Sequence, residues 1–443
     1  MANSIHSQSI RQRPVAAKSF HRPSEHQERD IIATFTPPAF TVKDLLGAIP
    51  KHCYERSALR SASYLVGDLA MLAAFAYLAT FIDSLFGSTG SLVEAGLGRI
   101  IRVILWVVYA ICAGSVATGV WIIAHECGHQ AFSTSKTLNN TVGWIFHSAL
   151  LVPYHSWRIS HARHHAATGS MERDEVFVPR TRSELGIKPE SQVVEESTFE
   201  KMDELFEDAP LWSLINVVLQ QTFGWLAYLF WNASGQNYGK WTSHFDPQAP
   251  IFDARHSMQV IASDVGLLIV GSVLTLWGMQ RGFSEVARYY LIPYLIVNHH
   301  LVLITFLQHT DPLLPHYRKS EWNFQRGALC TIDRNLFGSI GAYVFHGICE
   351  THVAHHVCSK IPHYNAWEAT EALKEILGDH YMKSDDNMYK SLYNNHTQCK
   401  FVEDTGSCVF YKNKLGKAQR VVVYEEDSGV DVRDVTVSEE EEI

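Results

Sequence analysis

The stretch IIRVILWVVYAICAGSVATGVWIIAHECGHQAF (residues 100–132) carries two messages in one segment. Residues 100–124 form an apolar run a little longer than the ~20 residues that a helix needs to cross a hydrocarbon core of about 30 Å. His125-Glu126-Cys127-Gly128-His129 follows at once. Its histidines, at i and i+4, share one helical face, and the string matches the H-E-x-x-H motif by which metalloproteases hold one zinc. The rest of the chain decides whether these two histidines serve a single zinc or a larger centre.

Similar apolar runs occupy 62–86, 211–231, 258–279 and 286–307, with Trp and Tyr crowding their ends as interfacial anchors do. A chain of 443 residues has room for two or three soluble domains, but apolar residues gathered this way build a polytopic, all-α membrane protein. Mean hydropathy near zero leaves a large aqueous part beside the spans. The net charge of −9 sits mainly in the last twenty residues, YEEDSGVDVRDVTVSEEEEI, which hold nine acidic side chains and one arginine. The body is close to neutral, which excludes a nucleic-acid surface. The eight cysteines lack C-x-x-C or paired spacing, so neither a disulfide framework nor a zinc ribbon is expected.

Along the chain, residues 1–45 are polar and read as a disordered cytosolic segment without a signal peptide. Residues 41–65 resemble amphipathic helices approaching the membrane. The run 143–154 is too short to span and is expected in the interface. Residues 157–208 and 308–400 are aqueous, the latter rich in helix formers such as NAWEATEALKEILGDH. The main body is expected at 46–400. Residues 401–443 are expected to form a small hairpin, around Lys-Leu-Gly, and then the acidic tail.

Histidine spacing decides the chemistry. His161, His164 and His165 stand in SHARHH, and His352, His355 and His356 in THVAHH. With His125 and His129 they make eight imidazoles in three boxes, each box aiming two or three in one direction along a helix. A single zinc takes at most four ligands, so the set suits two metals with positions left open. Imidazole alone does not name the metal. His309, in FLQHTDP at the aqueous end of a span, is a ninth candidate. Glu126 is a candidate to orient a ligand, and Asp311 to hold a ligand's second ring nitrogen. His346 is a supporting candidate, as are His299 and His300 within a span. His147 and His155 are expected at the interface, and Cys127 as a packed residue.

A shared site also constrains topology. If the chain starts in the cytosol, the runs 62–86 and 100–124 return it there with the first box. A full crossing at 211–231 would then leave the third box on the far side. The chemistry therefore predicts four spans, at about 62–86, 100–124, 258–279 and 286–307, with 211–231 lying along the membrane. A cytosolic helical cap would hold the histidines.

HECGHQ, HARHH and HVAHH resemble the three histidine boxes of membrane fatty-acid desaturases, and FLQHTDP resembles the segment that adds a further ligand. The flanks WRISHARHHAATG, DEVFVP, NNTVGWIFHSALLVPY and ETHVAHHVCSKIPHYNAWEATEAL resemble endoplasmic-reticulum oleate delta-12 desaturases of the fungal kind, over about residues 40–425. Gln130 and Ala162 vary at non-ligand positions. The resemblance implies two irons on the nine histidines and O2 as co-substrate. It also implies electrons from cytochrome b5 and its reductase, as separate proteins because no His-Pro-Gly-Gly is present. A cis double bond would form in an oleoyl chain, carried by phospholipid in preference to acyl-CoA, in the endoplasmic reticulum membrane with boxes and termini cytosolic. Sibling activities share these boxes: omega-3 (delta-15), bifunctional delta-12/delta-15, and 12-hydroxylation. An intramembrane zinc protease would leave six boxed histidines idle, and a metal transporter would place its ligands within the spans.

Overall fold

The computed structural model describes residues 33–86, 92–188 and 210–424. Most of the expected N-terminal segment, residues 1–32, and of the acidic tail, residues 425–443, lies outside the described residues. Residues 33–45 are not featureless: Ala33–Phe35 is a strand, and helix α1 (Val42–Ala48) begins inside this stretch. Thr41 and Asp44 cap α1 reciprocally, the Asp44 N–H donating to Thr41 Oγ1 (3.2 Å) and the Thr41 N–H to Asp44 Oδ2 (2.8 Å).

Among the described residues four helical stretches are long and apolar enough to cross a membrane: Ala58–Leu85, Gly96–Gly128, Ala254–Arg281 and Phe283–His309. They are built on α2 (Ala58–Ala79), α3 (Leu92–Gly128), α7 (Ser257–Arg281) and α8 (Ile292–His309). Their outer faces expose large apolar residues such as Val66, Val103, Leu268 and Val273, as lipid contact requires. The fourth span is 61 % buried against 17–28 % for the others, which makes α8 the central helix. With 37 residues, α3 is about 55 Å long, more than the ~30 Å core requires.

The expectation of four spans is met. Helix α6 (Pro210–Trp231) is not among them; it packs along α8, with Trp225, Tyr228 and Leu229 buried together with Val302, Leu303 and Ile304. The run 143–154, by contrast, is not one element. Helix α4 (Lys136–Ala149) ends there, Leu151 turns with φ 54°, and Pro153 caps α5 (Tyr154–Ala167). Proline lacks an N–H and disfavours helix in the residue before it, so the chain breaks there. Helix α4 lies on α7 through Trp144, whose Nε1–H donates to the Ala262 carbonyl (2.8 Å).

The aqueous cap adds α9 (His352–Val357), α10 (His363–Leu377) and α11 (Met388–Gln398). The hairpin expected near the end is confined to its turn, where Lys412 and Ala418 form an antiparallel bridge. Its turn closes, with the Asn413 N–H donating to the Lys417 carbonyl (3.0 Å). The flanking strands go elsewhere, Cys408–Val409 antiparallel to His316–Tyr317 and Arg420–Val422 parallel to Ala33–Phe35. Phe35, Tyr317, Cys408 and Phe410 share one buried cluster there, whereas an isolated two-stranded hairpin would bury little.

Candidate metal centre

Helices α3, α5, α8 and α9 bring all nine candidate histidines to one place. His125 and His129 end α3, His161, His164 and His165 line α5, His309 ends α8, and His352, His355 and His356 make up half of α9. All but His161 are buried, and His161 is half-buried.

They divide into two groups, and the division cuts across the boxes. His125, His129, His161, His165 and His355 offer nitrogens that all lie within 4.8 Å of one another, and His164, His309 and His356 do the same. His352 joins the second group, with its Nε2 3.0 Å from that of His309. Adjacent helical residues point about 100° apart, so His164 and His165 serve different groups, as do His355 and His356. The i, i+4 pairs 125/129, 161/165 and 352/356 each stay together. The expectation that each box aims in one direction is therefore corrected for the second and third boxes.

The nitrogens face each other in a way that hydrogen bonding does not satisfy. His125 Nε2 lies 3.0 Å from His161 Nε2 and 3.1 Å from His129 Nε2. His165 Nε2 is 3.2 Å from His161 Nε2, and His164 Nε2 3.4 Å from His309 Nε2. Two ligands about 2.1 Å from a metal, at 90–109° to each other, stand roughly 3.0–3.4 Å apart. The nitrogen spacings are those of coordination-polyhedron edges, and the donor set fits two metal ions.

Protonation favours the same use. Burial, and then mutual repulsion, holds His129, His161, His165, His352 and His356 well below the ordinary imidazole range. Burial takes His355 down to about 4, against the opposing pull of Glu126. Neutral imidazole is the ligating form.

The far ring nitrogens explain how two of these rings are held. His164 Nδ1 donates to Asp174 Oδ1 at 2.6 Å. That buried carboxylate also accepts the N–H groups of Gly169 (2.8 Å) and Val176 (3.1 Å). Thr168 donates its hydroxyl proton to the His164 carbonyl (2.7 Å), so at 3.2 Å it accepts from His356 Nδ1–H. Each arrangement leaves Nε2 with its lone pair.

The sequence pointed elsewhere for this support. Asp311 holds no ligand ring; it pairs with Arg334, whose Nε also donates to the Leu307 carbonyl (2.7 Å). Asp174 lies ten residues beyond His164 in an aqueous loop without periodicity, and no spacing signal marks it. Glu126 stands 3.9–4.0 Å from Nδ1 of His125 and His355 and accepts the His363 N–H (3.0 Å). His346 pairs with Asp68 (2.8 Å), and His300 with Thr118 (3.1 Å), so neither touches a ligand ring. His299 is half-buried beside His300. His147 does not face the interface; it is fully buried, its Nε2 donating to the Trp121 carbonyl (3.1 Å). His155 is half-buried, its N–H donating to Ser263 Oγ (2.9 Å), and Cys127 packs with Leu65 and Ile123.

A cavity of about 300 Å³ runs against both groups. His125, His161, His164, His309 and His352 contribute to its lining, and Trp121, Trp157, Phe177, Trp225, Val302 and Ile304 are among its apolar walls. An apolar space of this kind beside paired metal ligands takes a hydrocarbon chain rather than a polar substrate.

Comparison with known proteins agrees with this geometry. The profile described as Fatty acid desaturase matches residues 102–386, and one described as Domain of unknown function (DUF3474) matches residues 7–77. A Delta(12) fatty acid desaturase of Mortierella isabellina is 50 % identical over 376 residues, 85 % of this chain and 91 % of that protein. An Oleate hydroxylase FAH12 of Claviceps purpurea is 43 % identical, covering 86 % of this chain and 83 % of its own length. A Delta(12)-fatty-acid desaturase of Arabidopsis thaliana is 44 % identical, covering 85 % and 93 %. Four membrane-capable helices, a split histidine centre beside an apolar cavity, and these matches together make the chain a member of the membrane-bound fatty acid desaturase family.

Proposed function

We propose that the chain is an oxygen-dependent acyl-lipid desaturase that converts oleoyl to linoleoyl chains. The carrying observation is the apolar cavity lined by histidines of both groups, which would lay an unactivated methylene beside two metals. The relatives named Delta(12) desaturases support the position of the double bond. The Claviceps relative supports one second reading, 12-hydroxylation of the same substrate.

Iron is the metal we assign. His125, His129, His161, His165 and His355 would hold one ion, and His164, His309, His352 and His356 the other. Bound iron would supply the activation of O2 and the removal of a hydrogen from each of two neighbouring methylenes, with water as product. The protein's own residues do the rest. Asp174 and Thr168 fix the tautomers of His164 and His356. The aromatic walls at Trp121, Trp157 and Trp225 hold the chain and keep bulk water from the site.

The electron donors in this reading are cytochrome b5 and its reductase, and the substrate is phospholipid-bound oleate. Residues 46–400 are the catalytic body, set in the endoplasmic reticulum membrane with histidines and termini on the cytosolic face. Expression in a host that makes oleate but no polyunsaturated chains, followed by chromatography of its lipids, tests the proposal. New linoleate is expected. Ricinoleate would move the assignment to the hydroxylase, alpha-linolenate to a bifunctional delta-12/delta-15 sibling, and an unchanged profile would reject delta-12 desaturation and 12-hydroxylation alike.

A further inference from the structure

The loop between Arg334 and the third histidine box leaves an apolar surface uncovered. Residues 335–349, NLFGSIGAYVFHGIC, hold no Asp, Glu, Lys or Arg, while Arg334 and Glu350 bracket them. The loop closes at its neck, where the Arg334 N–H donates to the Cys349 carbonyl (2.8 Å). Its tip is the short helix Gly338–Val344. Leu336 and Phe345 turn inward and join the core between the spans, and Ile348 reaches the apolar cavity. Phe337, Ile340 and Tyr343 turn outward, and are 38 %, 73 % and 68 % exposed.

Contacts with three spans fix the height of this tip. Val344 lies on α3 at Gly119, where an added Cβ would meet the Val344 carbonyl oxygen at 2.5 Å. Phe337 and Phe345 pack on His300 of α8, with ring centroids 5.6 and 5.1 Å away, and His346 pairs with Asp68 of α2 (2.8 Å). On α3 no Asp, Glu, Lys or Arg stands between Arg102 and Glu126. A hydrocarbon core that begins at or just after Arg102 extends ~30 Å, and Gly119 is about 25 Å from Arg102, so Gly119 lies inside the core near its histidine-side edge. On α8, His300 lies about 14 Å below His309. The tip is therefore level with the rim of the hydrocarbon, although the sequence places 308–400 in the aqueous part. Beside Asp68, α2 exposes Val66 and Leu69, so the outward face of the loop continues a lipid-facing surface. The start of the short helix fits the rim as well. Phe337 makes no side-chain cap, so the first N–H groups need headgroups or water, which the edge of the core supplies and its centre does not.

We propose that residues 335–349 form a membrane-dipping loop whose partner is the bilayer itself. Phe337, Ile340 and Tyr343 lie among lipid acyl chains at the histidine-side boundary, with Tyr343 as the interfacial ring. The loop runs on into the third box at His352, so the bilayer steadies the segment that delivers those ligands. The assignment does not depend on the reaction proposed above.

Site-specific photocrosslinking of the full-length protein in nanodiscs of dioleoylphosphatidylcholine tests this. Ile340 and Tyr343 are each replaced by p-benzoylphenylalanine, which inserts into nearby C–H bonds on irradiation. Leu415, 75 % exposed in the terminal turn, is replaced in the same way as the aqueous control. Both loop positions are outward-facing, so the larger ring does not disturb the core, and either position alone suffices if the other variant fails to assemble. The expected result is a mass shift of one phospholipid at the loop positions and none at Leu415. Crosslinks from the loop positions to protein would make this face a docking surface for a second copy or another chain. Lipid adducts no more frequent than at Leu415 would place the loop in water. Either result would overturn the proposal.

Discussion

The substitution Asp174→Asn puts the support of the metal centre to a quantitative test. Asp174 uses one oxygen for His164 Nδ1–H (2.6 Å) and the other for the Gly169 N–H (2.8 Å), so both oxygens must accept. Asparagine has nearly the same shape but only one acceptor. Either its amide N–H faces the Gly169 N–H, or it faces His164 and forces that ring to protonate Nε2, the nitrogen directed at His309 3.4 Å away. Loss of such a partner typically weakens metal binding 10–100-fold, which is about 1.4–2.8 kcal/mol. The assay is metal retained by purified protein after dialysis against graded chelator, read by elemental mass spectrometry beside product formation in iron-supplemented membranes. The retention curve should shift by that factor, and excess iron should recover part of the activity. A D174N protein whose retention curve and activity superimpose on wild type would refute the role given to Asp174.

Gly224 faces the cavity, where an added Cβ would already lie 3.3 Å from Val302, so Gly224→Leu should fill the chain's space and cut conversion by roughly a hundredfold with metal content unchanged. Arg334→Ala strands the buried Asp311 carboxylate at the end of α8 and should cost about 3–5 kcal/mol of stability in chemical unfolding. Glu403 is held down at about 2, mainly by its bonds from Arg182 Nε (2.9 Å) and Nη2 (2.7 Å). Its folded value lies below the ordinary 4.5, so its stabilisation is complete above that pH and disappears as pH falls through about 2. Glu403→Gln should remove the same support at pH 7, with hydrogen exchange at the Val402 amide rising about fivefold, the equivalent of ~1 kcal/mol for a partly exposed pair.

Local periodicity makes part of the fold legible in the sequence. The runs 62–86, 100–124, 258–279 and 286–307 announce spans because their length and apolarity are properties of contiguous residues. The expectation that 211–231 does not span follows from the demand that three boxes share one side, and α6 is not among the four membrane-capable helices of the described residues. Pairings between distant segments are not legible in this way. Asp311 is a reasonable choice to steady a ligand from its place beside His309, but Arg334, far along the chain, claims it. The terminal strands look like a hairpin because each alternates. They pair elsewhere because Phe35 and Tyr317 offer more surface to bury.

The sequence by itself determined the inventory of candidate ligands, the membrane character and the need for three distant boxes to share one side, since each follows from residue type and spacing along a helix. Only the tertiary structure decided how nine imidazoles become two centres. The direction of a helical side chain changes by about 100° per residue, so neighbours such as His164 and His165 part company. Which ring each then meets depends on how α3, α5, α8 and α9 pack, and packing is a property of surfaces that no single segment contains.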